Sequence, residues 1–337
     1  MKQSSLYKTA QKIYHSYLAK KSLHESRFLR NEVLPLLNND LLKLKLKELD
    51  EIAAETGTKT YYVISRENSS IGLLTYVSLF LGHLAYAAAK GFLPVIDIQN
   101  TSSLYLEDDQ IGKVNAWEFY FQQPYETTLN QVLSTQNYIL GATKMQPLSP
   151  FISSVFDEQE SLFWKILYQH FIRFNEKTKS YTDDEYNNLL AGKRVLGLLY
   201  RGTDYTKMRP HGHPIQPTLE EFADRIVTMT AESGDYDCYY LATESRESSD
   251  FLKNRFPGKI VENKKVYYDD AGVDYLYQAT FDRENDKYLK GLEYLSSIHL
   301  LSKCDSFIGG LCAGTYAANF MKEGDYEHKH FFNLGVY

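Results

Sequence analysis

Cysteine is scarce in this chain. Three occur in 337 residues, Cys238, Cys304 and Cys312. None falls in a CxxC or zinc-like spacing, and the odd count fits a reducing compartment better than a disulfide scaffold. An excess of positive charge is also missing. The formal net charge is −6, which argues against general nucleic-acid binding, because that leans on a basic surface. Neither GxGxxG nor GxxxxGK[ST] occurs, so dehydrogenase and P-loop chemistry have no support. The first residues, MKQSSLYKTAQKIYHSYLAKK, lack the apolar core of a signal peptide.

What is present reads as a globular protein. Hydrophobic residues make up 43% and charged residues 24%, and the length suits roughly two domains. Charge is uneven along the chain. Residues 1–47 hold eight lysines and two arginines against three acidic residues. A solvated helical face accounts for this, and weak contact with an anionic membrane surface is the alternative. We therefore expect a cytoplasmic protein, or one peripheral to the inner membrane face. The uncharged run Ile71 to Ala89 nearly spans a bilayer by length. It contains Thr75, Ser78 and His83, and strand-like segments flank it, so a buried helix inside a βαβ unit is the expectation.

Two α/β stretches follow a helical start, residues 1–58. In the first, 59–190, strands are predicted at Tyr61–Ser65 and Phe92–Ile98 around the apolar helix, with Gly91 as its cap. Residues 157–178 have a helical period. The polar stretch Asn175 to Lys193 breaks helix in places and is where a domain boundary is expected. In the second, 191–337, strands are predicted at Val195–Tyr200, Tyr239–Thr243 and Ser306–Gly310. Helices are predicted between them, marked by Leu219, Phe222, Ile226 and Met229, and by Leu292, Leu295, Ile298 and Leu301. Such alternation implies parallel sheets and two facing Rossmann-like domains.

Three segments then end at one edge of the second sheet, where open α/β sheets bind ligands. They are Arg201-Gly202-Thr203-Asp204, Thr243-Glu244, and the turn Gly309 to Thr315. The Arg201 guanidinium suits two phosphate oxygens. The glycines Gly202, Gly310 and Gly314, with Ala313 and Thr315, let an anion approach a helix N-terminus. Thr243 and Glu244 suit a base edge or ribose. Structural pairing of Arg201 with Asp204 or Glu244 is the competing account. Arg66 to Gly72 suits an opposite jaw for phosphates. His211 and His213 form an HxH pair without further metal-ligand spacing, so no metal site is expected and polar loop residues, one able to shuttle a proton, are the reading. Trp117 and its aromatic neighbours are candidates for a sugar-stacking acceptor surface.

Four motifs in order carry a resemblance over roughly residues 195–320. They are Leu199-Tyr200-Arg201-Gly202-Thr203-Asp204-Tyr205, His213-Pro214-Ile215, Tyr240-Leu241-Ala242-Thr243-Glu244, and Ser297-Ile298-His299-Leu300-Leu301-Ser302-Lys303-Cys304-Asp305. The chain resembles the fucosyltransferase superfamily of α1,6-fucosyltransferases, nodulation fucosyltransferases and protein O-fucosyltransferases. That resemblance implies a GT-B fold and an inverting, metal-independent glycosyltransferase without a cofactor. It further implies GDP-fucose as donor, a glycan or lipid-linked oligosaccharide as acceptor, and a place in polysaccharide or glycoconjugate synthesis. Arg201 would meet the donor diphosphate, and Asp204, His211 and Glu244 are the candidate bases in falling order. Departures stand at Leu199, Ser297, Cys312-Ala313-Gly314 and Arg209, where relatives place a histidine, an aspartate, Ser-Ser-Gln and a carboxylate. A donor with another nucleotide, a non-catalytic nucleotide-sugar- or glycan-binding protein, and a metal hydrolase built on His211 and His213 are the alternatives.

Overall fold

A computed structural model describes residues 27–337 apart from 28, 67–70, 142–147, 151 and 274. Most of the basic N-terminal stretch, and with it the membrane-surface expectation, lies outside the described residues. A helix at Asn39–Ala54, whose Asn38 side chain caps the N–H groups of Asp40 and Leu41, packs Leu42, Leu46 and Leu49 inward.

The described strands form two parallel sheets. The first has the order β2-β1-β3, with β1 at Tyr61–Ser65, β2 at Leu93–Asp97 and β3 at Tyr138–Leu140. The second has the order β6-β5-β4-β7-β8. Its strands are β4 (Val195–Leu199), β5 (Cys238–Ala242), β6 (Ile260–Val261), β7 (Ser306–Gly310) and β8 (Lys329–Phe332). Both β4 and β7 are buried along their whole length, as expected for strands covered by helices on both faces. Leu199 stands opposite Ala242 on one side and Gly309 on the other. The ends of β4, β5 and β7 are therefore level, and the residues that follow them share one edge.

The apolar helix is Leu73–Lys90, ended by Gly91 in the left-handed conformation at φ 68°. It is long and apolar enough to cross a membrane, but 67% of its apolar window is buried inside the protein. It sits between β1 and β2, as the βαβ reading requires. One core cluster joins the two halves, running from Tyr76, Phe80 and Trp164 to Tyr240, Leu301 and Tyr316.

Two expectations are corrected here. Asn175 to Lys193 is no helix-breaking linker, because Glu176–Leu189 is a helix. The Asn175 side chain accepts from the Thr178 N–H at 2.8 Å, Thr178 and Thr182 are buried, and Lys179 pairs with Asp183 one turn on. A good cap and an i,i+4 pair offset the polar composition. Trp117 is not an acceptor surface. It is fully buried, stacked on Phe121 at 4.3 Å, and its indole N–H donates to the Gln122 carbonyl at 2.9 Å. Tyr120 and Phe121 are buried with it.

Candidate functional site

A cavity of about 260 Å³ opens at the level ends of β4, β5 and β7. Arg201, Asp204, Thr243, Glu244 and Ala313 line it from the second half of the chain, and Gly72, Thr75 and Tyr105 from the first. Five of the sequence-derived site residues therefore meet at one place.

Arg201 is held on two sides. Its Nη2 pairs with Asp204 Oδ1 at 2.6 Å, and its Nε lies 3.6 Å from Glu244 Oε1. The guanidinium sits over the Tyr205 ring at 4.6 Å. Burial opposes its charge, but Glu244 and then Asp204 outweigh burial and hold the guanidinium protonated, its pKa raised well above the ordinary arginine value. Its Nε N–H is buried without a hydrogen-bond partner. That N–H faces Glu244 Oε1 at 3.6 Å, beyond hydrogen-bond distance, so the pairing there is ionic.

Glu244 does more than neutralise. Its Oε1 accepts from the Gly202 N–H at 3.1 Å, the Thr203 N–H at 3.3 Å and the Thr203 hydroxyl at 2.8 Å. This pins the turn that aims Arg201. The space is tight, since a Cβ on Gly202 would lie 2.3 Å from Ser248 Oγ. Glu244→Gln keeps one accepting oxygen for the turn and loses the charge, whereas Glu244→Ala loses both. We expect affinity for a diphosphate such as inorganic pyrophosphate to fall in the order Glu, Gln, Ala, with the alanine variant down by about tenfold or more, the cost of one or more charge-assisted hydrogen bonds. Equal affinities for all three proteins in calorimetry would refute this role.

Two helix N-termini line the cavity, neither capped by the side chain of its own N-cap residue. One is Leu73–Lys90, through Gly72 and Thr75. The Tyr105 hydroxyl takes its first N–H, at 2.6 Å. The other is Ala313–Met321, through Cys312 and Ala313. Their dipoles add positive potential on both sides of Arg201. Gly72 thus stands where the opposite jaw was expected, while residues 67–70 of that jaw lie outside the described residues.

The remaining sequence-derived residues lie elsewhere. Gly310, Gly314 and Thr315 pack behind the cavity wall. A Cβ on Gly310 would meet Gln216 Oε1 at 1.9 Å, and one on Gly314 would meet Ile298 Cδ1 at 2.9 Å. Thr315 is fully buried and its hydroxyl donates to the Gly310 carbonyl. Gly202 and Thr203 shape the turn under Arg201 and do not line the cavity. His211 and His213 are exposed and outside the lining. The His213 ring meets the edge of Tyr205 at 5.2 Å. Their loop is tied to the last residues of the chain, with Gly212 N–H to the Tyr337 carbonyl at 3.0 Å and Tyr337 N–H to the His213 carbonyl at 3.1 Å. Among the described residues, no three His, Cys, Asp or Glu side chains gather as a metal-binding group. Sequence reasoning missed Lys265, Lys290 and Glu293, which also line the cavity. They come from a stretch with no strong period and from a helix read only for its apolar face.

No protein-family model and no curated protein matches the sequence. Solved structures do. The fucosyltransferase NodZ from Bradyrhizobium superposes with a TM-score of 0.51 at 17% identity, covering 77% of this chain and 92% of that one. POFUT1 in complex with GDP gives 0.54 at 12% identity, covering 83% and 100%. This chain has a fucosyltransferase-like GT-B fold. A NodZ α1,6-fucosyltransferase soaked with GDP-fucose gives 0.51 at 15% identity, covering 78% and 93%. The α/β, GT-B-like architecture expected from strand order and motifs is thus the one observed, with the cavity between the sheet edge and the start of the Leu73–Lys90 helix.

Proposed function

We propose that the protein is an inverting glycosyltransferase that carries fucose from GDP-fucose to a hydroxyl of a glycan. The observation that carries this reading is the cationic Arg201, held by Asp204 and Glu244 in a cavity that two helix N-termini also line. That is a site for a leaving diphosphate. Solved proteins of the same fold bind GDP and GDP-fucose.

In the reaction, the bond between the anomeric carbon and the β-phosphate oxygen breaks, and GDP leaves with the electron pair. The acceptor oxygen bonds to the opposite face of the sugar and sheds its proton. The transition state is oxocarbenium-like, so dispersing the leaving-group charge outweighs the strength of any base. Arg201 and the two helix ends supply that dispersal. Asp204 lines the cavity but is held by Arg201 at 2.6 Å, on the leaving-group side, so its role is to fix the guanidinium rather than to take the acceptor proton. His211 lies outside the lining, and Glu244 is engaged by the Gly202–Thr203 turn.

Thermal melting with a panel of nucleoside diphosphates tests the donor. GDP at ~100 times its Kd should add about 2.7 kcal/mol of stability. If UDP or dTDP stabilises and GDP does not, the donor is another nucleotide sugar. If no nucleotide stabilises, the transferase reading fails. Stabilisation by GDP without GDP release from GDP-fucose, across a panel of acceptor glycans, would mark a binding protein instead.

A further inference from the structure

We propose that Lys265 is a specificity-determining residue of the donor site, donating its ammonium to the O6/N7 edge of the nucleobase. This rests on the nucleotide-sugar reading above. In doubly wound sheets the pyrophosphate sits at the end of the first strand and the ribose at the end of its neighbour. Here β4 carries Arg201, β5 carries Glu244, and β6 lies next in the order β6-β5-β4-β7-β8. The nucleoside therefore extends from Arg201 toward the residues after β6.

Lys265 stands there, four residues past Val261, the last residue of β6. Its segment is fastened to the site, since the Tyr268 N–H donates to the Glu244 carbonyl at 2.8 Å. Beside it, Val266, Leu276 and Tyr277 give the cavity an apolar wall that suits a flat ring. The other charged groups at this end are taken. Glu293 is held bidentately by Arg283 at 2.6 and 3.1 Å, and Glu244 by the Gly202–Thr203 turn. Lys290 donates to the Ala279 carbonyl at 2.7 Å and lies 3.4 Å from Asp286.

Lys265 differs. Its side chain is 8% exposed and its ammonium meets Glu262 Oε1 at 2.7 Å. An ammonium carries three donors, so with Glu262 taking one, two remain for a ligand in the cavity that Lys265 lines. Burial is the larger influence on this lysine and pulls its pKa down, against the attraction of Glu262. A second acceptor would relieve that cost of burial. Ser297 also lines the cavity, and its hydroxyl already donates to Asn263 Oδ1 at 2.9 Å. A lysine donor matches the O6 and N7 acceptors of guanine.

The fold tolerates the test. Glu262 also pairs with Lys253 at 2.6 Å and accepts from the Ser249 hydroxyl at 2.6 Å and the Tyr267 hydroxyl at 3.0 Å. Lys265→Met therefore leaves no carboxylate unpaired. Calorimetry with the full chain should show GDP binding weakened about tenfold in Lys265→Met, with ADP, which keeps N7 but lacks O6, weakened less and pyrophosphate binding unchanged. Lys253→Met, which removes the outer lysine of the same carboxylate, should bind GDP as the wild type does. Unchanged GDP affinity in Lys265→Met overturns the proposal. So does a parallel loss for pyrophosphate, which would put Lys265 on the phosphates, or an equal loss for ADP, which would put it off the O6 edge. A wild-type protein that binds no nucleotide at all is a different result, because it removes the donor reading itself.

Discussion

Arg201→Ala is expected to lower kcat/KM for sugar transfer by at least about a hundredfold, the scale of one lost donor to developing negative charge. Two effects combine. The variant loses the forked donor that meets the leaving diphosphate. It also leaves Asp204 and Glu244, which flank the guanidinium at 2.6 and 3.6 Å, as two carboxylates without their shared cation. Removing one partner of a buried ionic group costs more than the pair contributes. An anion entering that space then meets repulsion, so the donor KM should rise as kcat falls. Arg201→Lys restores the charge without the planar fork and should recover part of the loss. The turn itself should survive, because Glu244 still accepts from Gly202 and Thr203. GDP release from GDP-fucose, followed with and without acceptor, reads both parameters. An Arg201→Ala enzyme turning over near the wild-type rate would remove Arg201 from the chemistry.

The second large effect concerns stability. Trp117→Ala is expected to destabilise the protein by about 3–5 kcal/mol, the usual cost of deleting a buried aromatic and leaving its cavity. The ring is fully buried, stacks on Phe121, tilts against Phe80 at 6.0 Å and donates its N–H to the Gln122 carbonyl. Denaturant unfolding measures the loss. The contrasting outcome is unaltered stability with a raised acceptor KM, which would return Trp117 to the sugar-stacking role that its sequence context suggested.

Buried elements were the legible ones. The strands at 61–65, 195–199 and 306–310 stand where short runs of apolar and small residues predict them, because a strand covered on both faces carries no polar alternation. Three short strands left no such trace. β3 is half-buried to exposed, β6 has two half-buried residues, and β8 alternates weakly. Their register comes from the neighbouring strand rather than from their own pattern. The helix at Glu176–Leu189 was masked by polar residues whose stabilising features are a cap and pairs one turn apart. Glycines misled in a specific way. Gly310 and Gly314 read as room for a ligand, but the space beside each is filled by Gln216 and Ile298. A bare sequence cannot tell close approach to a ligand from close approach to a side chain.

What the sequence by itself determined was the set of groups at the sheet edge. Parallel strands point their carboxyl ends the same way, so Arg201, Asp204, Thr243, Glu244 and Ala313 were expected on one side once three apolar runs were read as neighbours. The tertiary structure decided who holds whom. Glu244 reaches back 42 positions to the Gly202 N–H, Lys265 enters the cavity wall from a stretch without periodicity, and the His211–His213 loop is drawn to the chain's last residues and away from the cavity. Strand position follows from burial, which is local and repeats along the chain. Pairing among polar side chains follows from how loops close between distant segments, and no local pattern records that.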